Sequence, residues 1–203
     1  MAEEMNLPKG DLMKGKKGLV MGVANHNSIA WGIASQLAAQ GAEIAFSYIE
    51  AMEKRVRPLG ESIGVKVFVP AEVTDDASMD AAFATLEKEF GTLDFVVHAI
   101  AFSDKNELRG SFVDNTTREN FLNSMNISAY SFVDVARRAE KLMPNGGSMI
   151  TLTYLGSERV IPNYNVMGVC KAALEASIRY LALDLGEKGI RVNTLSPGPV
   201  NTI

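Results

Sequence analysis

Two tyrosines and a lysine stand close together in TYLGSERVIPNYNVMGVCK, the segment from Thr153 to Lys171. Tyr154 and Tyr164 are ten residues apart, and Lys171 follows the second tyrosine by seven. A phenol donates a hydrogen bond, and a nearby ammonium group either strengthens that donor or favours the phenolate. Because seven residues make about two helical turns, Tyr164 and Lys171 would share one face of a helix. An isolated pair of this kind is more often a packing tyrosine and a solvated lysine, so the surrounding elements must decide.

Short apolar segments alternate with longer amphipathic ones along the chain. The segments short and apolar enough to be buried strands are 18–23, 42–48, 65–70, 93–100, 147–154 and 190–197. Apolar residues recur at three- and four-residue spacing in 28–40, 50–63, 76–90, 116–143 and 165–188, which predicts helices there. Strict β-α-β alternation predicts an α/β fold with a doubly wound parallel sheet, Rossmann-like, in one domain. In such sheets ligands bind outside the carboxyl ends of the strands.

The first predicted strand end carries a possible phosphate-binding turn. Gly22 ends the strand, and Ser28 and Ile29 open the next helix in MGVANHNSIAWG. The N–H groups and positive dipole end of that helix would suit a pyrophosphate. A dinucleotide fingerprint has three glycines, however, and no middle glycine stands between Gly22 and Gly32, so a plain strand–helix turn explains this stretch about equally well.

The next strand ends offer further candidates. No acid or cation stands directly at the tip of the second strand, where Ile49 follows Tyr48. Glu72 and Val73 follow the third strand, where an adenine ring could rest. His98 lies inside the fourth apolar run, and we expect a packed core histidine there.

Composition excludes several other classes. The chain has 203 residues, 47% of them hydrophobic, and a formal net charge of −4 without a block of like charges. This composition favours a globular protein without a nucleic-acid footprint or a membrane-binding face. The single cysteine, Cys170, fits a reducing cytoplasm. No metal site is predicted.

Several motifs together resemble one family. GVANHNSIAWGIA, VHAIAFSD, NYNVMGVCKAALEASIRYLALDLG and IRVNTLSPGPVNT, with the Tyr154–Tyr164–Lys171 spacing, are similar to NADH-dependent enoyl-acyl-carrier-protein reductases. These enzymes of bacterial fatty-acid synthesis belong to the short-chain dehydrogenase/reductase superfamily. The similarity extends over essentially the whole sequence. In most of the superfamily three residues separate the tyrosine from the lysine, which would place the lysine at position 168. Here six residues separate Tyr164 from Lys171, and this spacing disfavours a generic alcohol dehydrogenase.

The resemblance implies roles for individual residues. Tyr154, Tyr164 and Lys171 match the catalytic positions, and Ser103 matches a substrate-side position. The positions that match cofactor contacts are Gly22, Ser28, Ile29, Glu72, Val73, Ile100, Lys171 and Val200. Three residues depart from the family pattern: Ile49 where glutamine is frequent, Glu72 in place of aspartate, and Ala101 in place of glycine.

The implied activity is reduction of a trans-2-enoyl thioester on acyl carrier protein by hydride transfer from NADH. Tyr164 would donate to the thioester oxygen as negative charge collects there. Lys171 would hold the nicotinamide ribose, and Tyr154 would position substrate or relay a proton. Two alternatives stay open: a short-chain reductase acting on a ketone or alcohol, and a non-catalytic dinucleotide-binding protein.

The resemblance also bears on assembly and length. The segments 116–143 and 165–188 are apolar on more than one face, and by resemblance they pair across a two-fold axis in a homotetramer. Relatives continue past a sixth strand into a substrate-covering helical segment and a seventh strand. We therefore expect residues 1–203 to be a C-terminally incomplete domain, with its sixth strand at an exposed edge, weak NADH binding and a tendency to aggregate.

Overall fold

The computed structural model describes residues 7–202, which contain six strands and seven α-helices. The strands are β1 (Lys17–Met21), β2 (Glu43–Tyr48), β3 (Val67–Pro70), β4 (Phe95–His98), β5 (Gly147–Leu152) and β6 (Ile190–Leu195). The helices are α1 (Ile29–Ala39), α2 (Glu53–Ser62), α3 (Asp76–Phe90), α4 (Phe112–Asn115), α5 (Arg118–Met125), α6 (Ser131–Ala139) and α7 (Asn165–Gly186). Each predicted strand is present, although β1, β4, β5 and β6 end two residues earlier than their apolar runs.

All six strands are parallel and lie in the order β3-β2-β1-β4-β5-β6. The chain winds outward from β1 to β3, returns beside β1 as β4, and then winds the other way. The strand order therefore reverses between β1 and β4, the point at which open α/β sheets bind ligands. The predicted doubly wound fold is confirmed.

Helices cover both faces of the sheet because side chains alternate along each strand. In β4, Phe95 and Val97 belong to the cluster that packs under α1 and α2, whereas Val96 belongs to the opposite cluster. That second cluster joins the buried faces of α3, α6 and α7. Both faces of the central strands are thus buried, which explains why their sequences read as continuous apolar runs.

The predicted helix over 116–143 is divided in the structure. A π-helical turn, Asn126–Tyr130, separates α5 from α6, and a 3₁₀ turn, Glu140–Leu142, follows α6. The hydroxyl of Ser128 within the π-turn accepts from the N–H of Phe102 at 2.9 Å and donates to its carbonyl oxygen at 3.0 Å. The π-turn thereby binds the loop that leaves β4, and π-turns of this kind are frequent at functional sites.

No helix within residues 7–202 is both long enough and apolar enough to cross a lipid bilayer.

Candidate active site

The carboxyl ends of β1 and β4 meet at a close backbone contact. Gly22 follows β1 with φ of 95°, a left-handed conformation that glycine adopts readily. A β-carbon at this position would overlap the carbonyl oxygen of Ala99, which follows β4. Gly22 is therefore required for the close approach of the two strand ends.

The start of α1 faces that turn. Ser28 is the N-cap residue, but its side chain makes no capping bond to the helix. Its hydroxyl instead donates to the carbonyl oxygen of Asn25 at 2.6 Å and accepts from the N–H of Ala24. The N–H of Trp31 donates to the Ser28 carbonyl oxygen at 3.0 Å, but the Ser28 side chain caps neither Ile29 nor Ala30, which leaves donors for an anion at the positive end of the helix. Gly22, Ser28 and Ile29 fit a pyrophosphate group.

The residues after β2 and β3 differ in exposure and in hydrogen bonding. Ile49 is 46% exposed at the tip of β2. The Glu72 carboxylate accepts hydrogen bonds from the N–H and hydroxyl of Thr74, at 3.2 and 2.9 Å, and so it is part of its own turn. Val73 is 9% exposed and packs into the core. An adenine contact at this edge stays a prediction for both residues.

Tyr154 and Tyr164 meet at the carboxyl end of β5. Their rings pack edge to face, with 5.0 Å between centroids and 71° between planes. Tyr154 follows the end of β5 in extended conformation, and Tyr164 is the N-cap residue of α7. The loop between the two tyrosines folds back toward the end of β5, and so it brings two side chains ten residues apart into contact.

Two glycines position the Tyr164 ring, and the sequence analysis did not identify them. A β-carbon at Gly156 would overlap the ring of Tyr164, and one at Gly168 would lie 2.7 Å from the carbonyl oxygen of Gly156. The short 3₁₀ turn Leu155–Ser157 can therefore lie directly on α7 only because both positions lack side chains. The signal available in the sequence was the pair of glycines flanking the tyrosine.

The phenol of Tyr164 stays protonated. Burial, helped by the neighbouring Tyr154 and Cys170, raises the pKa of Tyr164 to about 12. Of the two effects that the sequence left open for the phenol, the structure thus favours a neutral hydrogen-bond donor over a phenolate at neutral pH.

Lys171 lies deeper than the sequence spacing suggested. Its side chain is 5% exposed, and Nζ donates to the carbonyl oxygen of Leu152, the last residue of β5, at 2.7 Å. Burial lowers its pKa to about 8, while Cys170 and Glu175 oppose that shift. At neutral pH the ammonium is still mostly charged, with two further donors available.

Glu175 of α7 is hydrogen-bonded to the residue that precedes Tyr154. The Thr153 hydroxyl, next to Tyr154, donates to the Glu175 carboxylate. The Thr153 N–H donates to the carbonyl oxygen of Leu195 in β6 at 2.9 Å. The tip of β5 is therefore fixed by α7 on one side and by β6 on the other, which sets the position of Tyr154.

The remaining candidate residues lie around this centre. Ser103 accepts from the hydroxyl of Ser124 at 2.9 Å and from the side-chain amide of Asn120 at 3.1 Å, so its hydroxyl belongs to a polar network. Ile100 packs against the core, and Val200 is 48% exposed. Their roles toward substrate and cofactor stay predictions.

His98 is a core residue, as predicted. Its ring is fully buried, with Nδ1 2.9 Å from the Thr151 hydroxyl and Nε2 2.9 Å from the Ser131 hydroxyl. Burial, together with the charge on Lys171, lowers its pKa to about 3. The neutral imidazole therefore joins β4, β5 and α6. Within residues 7–202 no group of three or more His, Cys, Asp or Glu side chains is arranged to hold a metal ion.

Comparison with known proteins gives a consistent result. The family model described as "Enoyl-(Acyl carrier protein) reductase" matches residues 22–203. A reductase named enoyl-[acyl-carrier-protein] reductase [NADH] 2, from Rhizobium meliloti, is 60% identical over 193 residues, which are 95% of this chain and 72% of that protein.

Solved structures agree with this similarity. The enoyl-(acyl-carrier-protein) reductase of Anaplasma phagocytophilum, solved in complex with NAD, superposes with a TM-score of 0.94 at 60% identity, covering 97% of this chain and 75% of that one. The Bacillus cereus enoyl-acyl carrier protein reductase, solved with NADP+ and an indole naphthyridinone, has a TM-score of 0.92 at 51% identity, covering 95% and 76% of the two chains.

Proposed function

The chain belongs to the enoyl-(acyl carrier protein) reductase family, and on this premise we propose which of its residues carry out the reaction. Its activity is the reduction of a trans-2-enoyl thioester on acyl carrier protein, with NADH as the reductant. NADH, when bound, supplies a hydride to the β-carbon of the substrate. Negative charge then collects on the thioester oxygen, and this charge is what the protein must stabilise.

Tyr164 is our candidate donor to that oxygen. The observation that carries this assignment is its burial against Tyr154, which keeps the phenol protonated well above neutral pH. A neutral donor already held in place by Gly156 and Gly168 does not have to reorganise as the charge develops. It therefore stabilises the transition state more than the ground state.

Lys171 has two roles in this proposal. Its Nζ is anchored by the Leu152 carbonyl oxygen, so the two remaining ammonium protons point away from β5 and suit the ribose hydroxyls of the cofactor. Its charge also makes the surroundings of Tyr164 more favourable for a developing anion. Burial strengthens that effect, because the interior screens charge less than water does.

Cofactor binding is assigned to the turn after β1 and to the other strand ends. Gly22, Ser28 and Ile29 would hold the pyrophosphate, with Glu72, Val73, Ile100 and Val200 at the remaining contacts. The required glycine at position 22 and the uncapped start of α1 support this assignment. Tyr154 and Ser103 would contact the substrate side.

A homotetramer is proposed from the exposed apolar side chains of the long helices. Leu122 of α5, Tyr130 of the π-turn, and Tyr180 and Leu183 of α7 are 52–74% exposed. Large apolar side chains concentrated on two neighbouring helices indicate a protein interface. We expect tetramers by sedimentation at micromolar protein, and monomers alone would contradict the proposal.

A cytoplasmic location is also proposed, because the single cysteine, Cys170, is free.

The substrate assignment is tested by comparing two thioesters of the same chain length. We expect NADH oxidation with a trans-2-butenoyl thioester and none above background with a 3-oxobutanoyl thioester. The reverse preference would identify a ketone reductase, and cofactor binding without turnover of either would identify a non-catalytic protein.

A further inference from the structure

An open pocket of about 550 Å³ lies beside the candidate active site and is lined by Lys105, Leu108, Arg109 and Asn163. Asn163 directly precedes Tyr164 in the chain. The other three residues come from the loop between β4 and α4. Two cations beside a site that takes acyl carrier substrates suggest a role in recognising an anion.

The two acidic side chains of this loop accept hydrogen bonds from neighbouring residues. The Glu107 carboxylate accepts hydrogen bonds from the N–H and hydroxyl of Thr117, at 3.0 and 2.7 Å, and from the Asn120 side chain at 3.0 Å. The Asp104 carboxylate accepts from the N–H of Asn106 at 2.8 Å. Both acids are therefore engaged within the loop and with α5.

The cations have no such partners. Among residues 7–202, neither Lys105 nor Arg109 forms a salt bridge, and both are exposed at the pocket. Since both cations line the pocket and neither acid does, the lining carries positive charge although the loop as a whole is close to neutral. An anion that enters it meets no carboxylate on the lining residues.

The loop is held rigidly against the start of α7. The side-chain amide of Asn165 donates to the carbonyl oxygens of Glu107 and Gly110, at 3.0 and 3.5 Å. The Asn115 amide donates to the carbonyl oxygen of Arg109 at 2.7 Å. Because Asn165 follows Tyr164, these contacts tie the backbone of the loop that carries the two cations to the start of α7, next to the candidate donor.

We propose that Lys105 and Arg109 bind the phosphate of the phosphopantetheine arm that carries the acyl thioester. An acyl carrier protein presents its thioester at the end of this arm, and the phosphate lies at the arm's other end. A guanidinium group and an ammonium group together suit a phosphate dianion or diester. The inference rests on the proposed function, because it concerns the carrier of the same substrate.

The test compares carriers that differ in the phosphate. The trans-2-butenoyl thioesters of pantetheine and of 4′-phosphopantetheine share the reacting end, and their ratio of kcat/KM measures the contribution of the phosphate. We expect the protein to favour the phosphorylated thioester. In the double variant Lys105→Gln/Arg109→Gln, the ratio of kcat/KM for the phosphorylated over the unphosphorylated thioester should fall toward one, by about tenfold or more. Arg109→Lys, which keeps the charge, should retain part of the preference.

Lys88→Gln provides the matched control. Lys88 is an exposed cation in the last turn of α3, which leads into the amino end of β4 and so lies away from the carboxyl ends of the strands, and its loss should leave the ratio unchanged. An equal ratio in the protein and in the double variant would overturn the proposal. So would a loss seen only with the acyl carrier protein thioester and not with phosphopantetheine, since the cations would then contact the carrier's own surface. Failure of the proposed function would look different, because the protein would then reduce none of these thioesters.

Discussion

The rings of Tyr154 and Tyr164 form an edge-to-face pair 5.0 Å apart, one at the tip of β5 and the other at the N-cap of α7. Each ring shields the other from water, and Tyr154 contributes to the raised pKa of Tyr164. The pair thus connects a strand end with a helix start and keeps one phenol protonated between them.

Lys171 predicts a pH dependence for NADH binding. Its pKa of about 8 means that the ammonium charge is present below that pH and is lost as the pH rises through it. We expect the Kd for NADH, measured by fluorescence titration, to increase between pH 7 and pH 9.5.

Glu175→Gln should move that transition to lower pH, because the Glu175 carboxylate raises the pKa of Lys171. Cys170 on the same helix and His98 from β4 are the other titratable groups coupled to Lys171. Glu187→Gln, at the exposed end of α7, is the matched control. A Kd that is flat over this range would refute the role of the lysine charge.

Gly22→Ala should destabilise the protein and weaken NADH binding. A β-carbon there overlaps the Ala99 carbonyl oxygen in a left-handed conformation, so the turn must shift. Gly32→Ala within α1 is the control, since its β-carbon would meet open space and helical alanine is favoured by about 1 kcal/mol. Thermal denaturation with and without NADH measures both effects, and equal melting temperatures for the two variants would contradict the prediction.

His98 predicts a loss of stability in mild acid. Its pKa is about 3 in the folded protein, far below the ordinary value of 6.5, so the unfolded state binds more protons between those pH values. Stability from this group is present above about pH 6.5 and is lost as the pH falls, by about 2 kcal/mol between pH 7 and pH 5.

Urea denaturation at pH 7 and pH 5 measures that loss. His98→Gln cannot titrate and should show a smaller difference between the two pH values, even though its stability is lower at both. His26→Gln should retain the wild-type difference because its side chain is exposed. An undiminished difference in His98→Gln would contradict this account.

NADH should be preferred over NADPH. Ile49 and Glu50 follow β2, and a 2′-phosphate there would meet an apolar and an acidic side chain. Arg57 is engaged by Glu53 at 2.7 Å and lies over the Phe68 ring, so Lys54 and Arg55 are the exposed cations of this helix. Without a cation nearby the 2′-phosphate would lose its hydration uncompensated. Comparable kcat/KM for the two cofactors would therefore show that Lys54 or Arg55 reaches the phosphate.

Local patterns in the sequence were sufficient for the fold. Apolar runs bounded by glycine located all six strands. Asp75 caps α3 by accepting from the N–H groups of Ala77 and Ser78. The strand-end rule then placed Gly22, Tyr154 and Tyr164 at one edge of the sheet.

Contacts between distant segments were beyond the sequence. Periodicity cannot reveal that Lys171 points to the Leu152 carbonyl oxygen, because helical spacing gives a face and not a partner. α5, the π-turn at Ser128 and α6 follow one another without an intervening loop, so the sequence predicted one continuous helix. The contact of Gly156 with the Tyr164 ring likewise exists only once the intervening loop has closed.

The most direct test of the account is the rate of NADH oxidation with a trans-2-butenoyl thioester in Tyr164→Phe. Phenylalanine keeps the ring between Tyr154 and Gly156 and removes only the donor, so kcat should fall by about 10²-fold or more with little change in the Kd for NADH. Tyr154→Phe, which preserves the same aromatic pair, should show a smaller fall in kcat. A Tyr164→Phe protein with wild-type kcat would contradict the assignment of the phenol as the donor to the thioester oxygen.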